Sequence, residues 1–145
     1  MSSFTTFRDM VVWQQSFNFA KGVQSLVKRL PQEERYQIAN QLIRAAVSLP
    51  AQIAQGQRKR GRNEFVKHLM YAQGNAAECE TYLLLLEDLV PDEAEEVHRL
   101  RETNTIIQKM LGALTYAIEH PKQKKSEVQS EVQATKEPQV VAVAA

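Results

Sequence analysis

The chain has one cysteine in 145 residues, Cys79, so no internal disulfide can staple it, and a reducing compartment is the expected setting. It has no excess of charge: 18 Lys and Arg against 17 Asp and Glu leave a net charge of +1. No overall field therefore draws it to nucleic acid or to an acidic partner, and any electrostatic function must come from how the charges are distributed. Long apolar runs are missing too. Runs such as Tyr82 to Leu86 are far too short to span a bilayer, and the opening MSSFTTFRDM has no apolar core of a secretory leader. These absences predict a soluble, cytoplasmic protein without membrane attachment. With only five glycines and no strand-like alternation, a sheet has nowhere to form.

What is present is helical period. Thr6 with Asp9 three residues later reads as a capping box opening a first helix that runs to about Arg29. Pro31 is suited to the first position of a second helix, which is expected to be bent at Pro50 and to stop at Gly56. Asn63 reads as the cap of a third helix ending near Leu89, and Asp92 with Glu95 opens a fourth that ends before Pro121. Short connections make neighbours antiparallel. The predicted fold is all-α, an antiparallel up-down-up-down four-helix bundle over residues 1–120, with a polar, disordered C-terminal tail over 121–145.

The seams are regular. The third helix carries Phe65, Leu69, Ala72, Ala76, Cys79, Leu83, Leu86 and Val90 in alternating steps of four and three. The fourth does the same through Val97, Leu100, Asn104, Ile107, Leu111, Leu114 and Ile118. The second helix offers Ala39, Leu42, Ala46, Leu49 and Ile53; the first offers Met10, Trp13, Phe17 and Ala20, then Val23, Val27 and Leu30. A second stripe on the first helix (Val12, Phe19, Val23, Leu26) and the Leu83–Leu86 run exceed what one bundle core needs. This surplus predicts a homo-oligomer with Val12, Phe19, Val23, Leu84 and Leu85 at the interface.

Antiparallel topology gathers Arg8, Arg58, Lys59, Arg60, Arg62, Lys67 and His68 at one pole, joined by Lys122, Lys124 and Lys125, against Asp9, Glu64 and Glu119. Glu33, Glu34, Glu87, Asp88, Asp92, Glu93, Glu95 and Glu96 collect at the other, partly offset by Lys28, Arg29 and Arg35. Acids opening the fourth helix and bases closing the second complement helix dipoles, but Arg60 and Arg62 ahead of the third helix oppose its dipole. Guanidinium forks in a Gly-containing loop suit phosphate. Arg58, Lys59, Arg60, Arg62 and Lys67 are therefore the candidate nucleic-acid contacts, directed mainly to the sugar-phosphate backbone. A merely solvated basic loop is the plain alternative. No aromatic residue interleaves with the loop cations Arg58 to Arg62 along the chain, which argues against a base-stacking platform for single strands.

No constellation for catalysis emerges, and neither a metal nor another cofactor is expected. Glu95 and His98 have the Glu-x-x-His spacing of di-iron bundles, but the further inward carboxylates such sites need are missing. Cys79 lies in a seam and acts as a small hydrophobe. Ser48 is placed to bond the backbone near Pro50, and Asn104 to fix helix register.

Phe7 to Gln14, then Leu30-Pro31 with Glu34, Tyr36 and Gln41, resemble the opening of the four-helix bundle proteins encoded within 23S ribosomal RNA intervening sequences. Arg44 to Pro50 and Ile53-Ala54-Gln55-Gly56 are similar to that family's signature, and Arg62, Glu64-Phe65, Ala72, Gly74, Glu78 and Glu80-Thr81 continue it. The likeness covers about Phe7 to Ile118. Where the family pattern has Glu before its glycine this chain has Gln55, and where it has Ser after a later glycine this chain has Asn75. The resemblance implies a ring-like homopentamer. It also implies kinship with accessory proteins of diversity-generating retroelements, which bind nucleic acid, RNA being the expected type here, and a reverse transcriptase. The competing expectation is a protein-interaction scaffold of the same fold with no nucleic-acid role.

Overall fold

A computed structural model describes residues 6–33 and 36–121 (the side chain of Tyr36 excepted). Glu34, Arg35, the tail lysines Lys122, Lys124 and Lys125, and the apolar end at 140–145 lie outside the described residues. Four helices are present: α1 Val11–Arg29, α2 Tyr36–Lys59, α3 Arg62–Leu89 and α4 Ala94–Glu119, with 3-10 turns at Phe7–Asp9 and Pro91–Glu93. No strand occurs among the described residues.

Consecutive helices pack side by side and α4 returns to α1, with no comparable contact across either diagonal. Cross-contacts fix the sense. Between α3 and α4, Glu87 meets Arg101 and Glu80 meets Gln108, so advancing on one helix retreats on the other. Arg29 meets Glu93 just ahead of α4, and a β-carbon on Gly22 would touch Leu100 further along it. These are antiparallel registers, and the architecture is the four-helix bundle expected from the periodicity.

The seams of α2, α3 and α4 fall where the four-and-three steps put them. Ala39, Leu42, Ala46, Leu49 and Ile53 are buried, as are Leu69 through Val90 on α3 and Val97 through Leu111 on α4. Phe65, Leu114 and Ile118 pack at the margins of that core. Asn104, the polar member, donates from Nδ2 to the Ala76 carbonyl at 3.1 Å and accepts from Gln108, which also reaches Glu80. This chain of bonds locks α4 against α3 in one register, because any slip would strand a buried amide.

Helix α1 departs from expectation. Of its expected seam Met10, Ala20, Val23 and Leu30 are buried, joined by Val12, Ser16, Phe19 and Leu26 of the other stripe, while Phe17 is 42% exposed and Trp13 and Val27 are half-buried. Val12 (5% exposed), Phe19 (1%) and Val23 (0%) are thus in the bundle's own core and unavailable to a second copy. Both stripes are apolar, so composition did not distinguish them; the neighbours did, since a helix in a bundle turns its densest branched and aromatic ridge into the groove between two partners.

The helix ends also differ. Thr6 caps the short 3-10 turn, its Oγ1 accepting from the Arg8 N–H at 3.3 Å, and α1 starts only at Val11. Helix α2 begins at Tyr36, beyond Pro31. It continues unbroken through buried Pro50, where the Ser48 hydroxyl donates to the Arg44 carbonyl at 2.9 Å. It also runs through Gly56 and gains a further turn. Asn63 sits in the first turn of α3, whose cap is Gly61.

Candidate nucleic-acid interface

The extra turn of α2 carries Arg58 and Lys59 at its C-terminal end, where the carbonyl-rich helix end favours positive charge. Arg60 then ends the helix in the left-handed region, φ 65°, its N–H bonded to the Gln57 carbonyl at 3.3 Å. Gly61, which could adopt that conformation without cost, is instead extended and accepts the Phe65 N–H at 2.9 Å. Arg62 is the first residue of α3, against the helix dipole, and Lys67 follows on the same helix.

Arg58, Arg60, Arg62 and Lys67 are all exposed, and none forms an ion pair among the described residues. Lys59 alone is engaged, with Glu64 at 3.8 Å, both side chains about half exposed. Such a loose contact contributes little and leaves the ammonium available. The 3-10 turn bearing exposed Arg8 packs on α1 and α2, so it belongs to the same end. His68 does not. It is buried, with Nδ1 2.7 Å from Gln52 Oε1 and Nε2 without a partner, and presents nothing to the surface.

The other pole is the reverse. Arg29 reaches Glu93 at 3.0 Å, Arg101 reaches Glu87 at 3.1 Å, Arg99 pairs with Glu96, and His98 lies 3.3 Å from Glu102. Hydrogen bonds to these carboxylates raise the Arg29 and Arg99 guanidinium pKa values above their ordinary one. Acid is matched with base there, whereas cations stand unmatched at the α2–α3 end. No group of three or more His, Cys, Asp or Glu is arranged to hold a metal ion among the described residues. His98 is 59% exposed and engaged with Glu102 rather than with Glu95.

Two further groups have a plain structural role. Burial, helped by the neighbouring Glu78 charge, pushes the Cys79 thiol up to about 12, so at neutral pH it stays protonated inside the core. The Tyr82 hydroxyl donates to Glu78 at 2.8 Å, and that bond raises its pKa above the usual phenol value.

Of the residues expected at an oligomer interface, Leu84 and Leu85 are exposed at 43% and 48%. They are not alone on α3: Met70, Tyr71 and Leu89 are exposed as well, so apolar side chains stand out on its outer face in two separate patches. The run Leu83–Leu86 signalled its C-terminal half only, because Met70 and Tyr71 are separated from it by polar and small residues.

Across residues 8–113 the sequence matches the 23S rRNA-intervening sequence protein family. The chain belongs to this family. Among solved structures it is similar to a protein of unknown function from the S23 ribosomal protein family of Bacteroides thetaiotaomicron, with 27% identity and a TM-score of 0.67. That alignment covers 72% of this chain and 98% of the other. No curated protein matches the chain. The basic α2–α3 loop and Lys67 fall inside the segment shared with the 23S rRNA-intervening sequence proteins. So does Gln55, exposed on α2 one turn ahead of Lys59, where it adds no negative charge to the basic end. No helix of the described residues is long and apolar enough to cross a membrane.

Proposed function

We propose that this protein is a non-enzymatic binding module that holds the sugar-phosphate backbone of nucleic acid at its α2–α3 end. The observation that carries the reading is that Arg58, Arg60, Arg62 and Lys67 have no ion pair among the described residues, whereas Arg29, Arg99 and Arg101 toward the opposite pole are paired with acids. An arginine in the left-handed region costs about 1–2 kcal/mol relative to a glycine there. A solvated loop has no reason to keep that cost when glycine is the next residue, whereas a phosphate contact rewards a guanidinium held in a fixed place. Assembly of several copies would repeat the patch and raise an otherwise modest affinity by avidity. The apolar outer face of α3, including Leu84 and Leu85, supports such self-association.

The test is the salt dependence of RNA binding by the full chain. About four phosphate contacts give a slope of about −3 to −4 in log affinity against log salt. Reversal of Arg58, Arg60 and Arg62 to Glu is expected to abolish binding. A salt-independent affinity, or one that survives the reversal, rejects the reading. The scaffold alternative then gains ground, with the α3 face rather than the loop as its contact surface.

A further inference from the structure

Three aromatic rings line up along one flank of α1. Phe7 and Trp13 have centroids 5.3 Å apart, and Trp13 stacks on Phe17 at 4.9 Å with an interplanar angle of 15°. The Nζ of Lys21 sits 5.3 Å from the Phe17 centroid. Phe17 and Lys21 are four residues apart, so the cation lies one turn along from the ring, and Lys28 follows two turns beyond Lys21. At the other end of the strip, the Gln14 side chain donates to the Arg8 carbonyl at 2.8 Å and holds the Phe7–Asp9 turn against α1.

This flank points away from α4. Gly22 faces Leu100, and Trp13 is nine residues earlier, half a helical turn around. It is therefore on the α2 side, and neither α1 nor α2 contains a single Asp or Glu. The nearest carboxylate in sequence, Asp9, ends the preceding 3-10 turn. Along α1 and α2 the exposed charges are Lys21, Lys28, Arg29, Arg44, Arg58 and Lys59, and among the described residues only Arg29 and Lys59 of these are ion-paired. A stacked aromatic strip with Arg8 at one end and Lys21 at the other, flanked by two helices that carry no acid, matches an unpaired nucleic-acid strand: bases for the rings, phosphates for the cations.

We infer that the Phe17 ring is a stacking platform for a base of single-stranded nucleic acid. The inference rests on the proposed backbone-binding role and narrows its ligand from duplex to unpaired segments. Magnitudes favour the exchange. An exposed lysine over an aromatic ring is held only weakly. A base stacked on the same ring is held more strongly, and the displaced ammonium gains a phosphate. Along the chain no ring lies between Arg58 and Arg62; only the fold brings the α1 strip to the end where α2 delivers Arg58.

The sole tryptophan is part of the stack, which gives the test a local probe. Full-length protein is titrated with a fluorescent 15-mer of single-stranded oligo-U and with a blunt RNA duplex of equal length, while Trp13 emission is followed. The single strand is expected to bind more tightly and to quench Trp13; the duplex leaves Trp13 unchanged. Phe17→Ala lowers single-strand affinity about 5- to 100-fold and leaves duplex affinity and salt slope as they were. Lys21→Glu also weakens the single strand and not the duplex, and it lowers the single-strand salt slope by about 1 because its phosphate contact is lost. If Phe17→Ala leaves single-strand affinity intact while the Arg58, Arg60 and Arg62 reversal abolishes it, the stacking inference is overturned and backbone binding stands. If Phe17→Ala changes the mass of the protein in sedimentation, the strip is a contact between copies and the inference is likewise overturned. If the loop reversal changes neither ligand's affinity, the backbone reading itself falls.

Discussion

A β-carbon placed on Gly56 would lie 2.8 Å from Cβ of His68 and 3.0 Å from a ring carbon of Phe65. The glycine thus marks the point where α2 and α3 close on each other just before the basic loop, and it keeps helical geometry there. Gly56→Ala tests this by the sign of its effect. A helix-interior alanine normally gains about 1 kcal/mol over glycine. Here the β-carbon meets another residue's β-carbon, which cannot swing aside, and overpacking costs about 1–3 kcal/mol or more. Urea denaturation should show a net loss of stability. A gain would mean the two helices are free to separate.

Arg60 invites the opposite experiment. Its φ of 65° suits glycine. Arg60→Gly is expected to raise stability by roughly 1 kcal/mol by relieving the left-handed strain, while weakening nucleic-acid binding. Opposite movement of the two readouts separates a contact residue from a capping residue; parallel movement, with binding following stability, argues that the arginine only closes the helix.

Ser16 lies in the α1 core with its hydroxyl buried and unbonded. Ser16→Ala removes a polar group that loses water without gaining a partner, and alanine is the better helix former. A stabilisation of about 1 kcal/mol should appear in thermal or chemical melts.

Cys79 links stability to alkaline pH. The unfolded chain loses the thiol proton from about the ordinary 9.0, whereas the buried thiol keeps it to about 12. Between those values the unfolded state binds fewer protons, so this contribution is complete below pH 9 and is lost as pH rises toward 12. Cys79→Ala should flatten that part of the stability–pH curve. In the native protein the thiol should react with iodoacetamide only as fast as the bundle opens, and rapid alkylation of folded protein would contradict its burial.

The outer face of α3 predicts self-association. Leu84→Glu together with Leu85→Glu should reduce the sedimenting mass without lowering helicity, because both side chains are nearly half exposed and outside the core. An unchanged mass in a protein that was oligomeric to begin with would move the interface elsewhere.

Three of the four seams were legible in the sequence because each of α2, α3 and α4 has one clear apolar stripe. Spacing alone then tells which residues face inward, as for Ala72, Cys79 and Leu83 or for Val97, Asn104 and Ile107. The end-to-end charge polarity was equally legible, since short loops between antiparallel helices leave little choice about which termini meet. Tertiary structure decided the rest. Helix α1 has two apolar stripes, and only its packing against α2 and α4 selected Val12, Phe19 and Val23 for the core and left Phe17 in the open. Gly56 reads as a helix stop from its own flexibility, yet the approach of His68 and Phe65 from another helix is what requires it. Pairing followed the same rule. That Arg29 and Arg101 find carboxylates while, among the described residues, Arg58, Arg60 and Arg62 do not depends on side chains from different elements meeting within a few ångströms, and a linear pattern does not encode that distance.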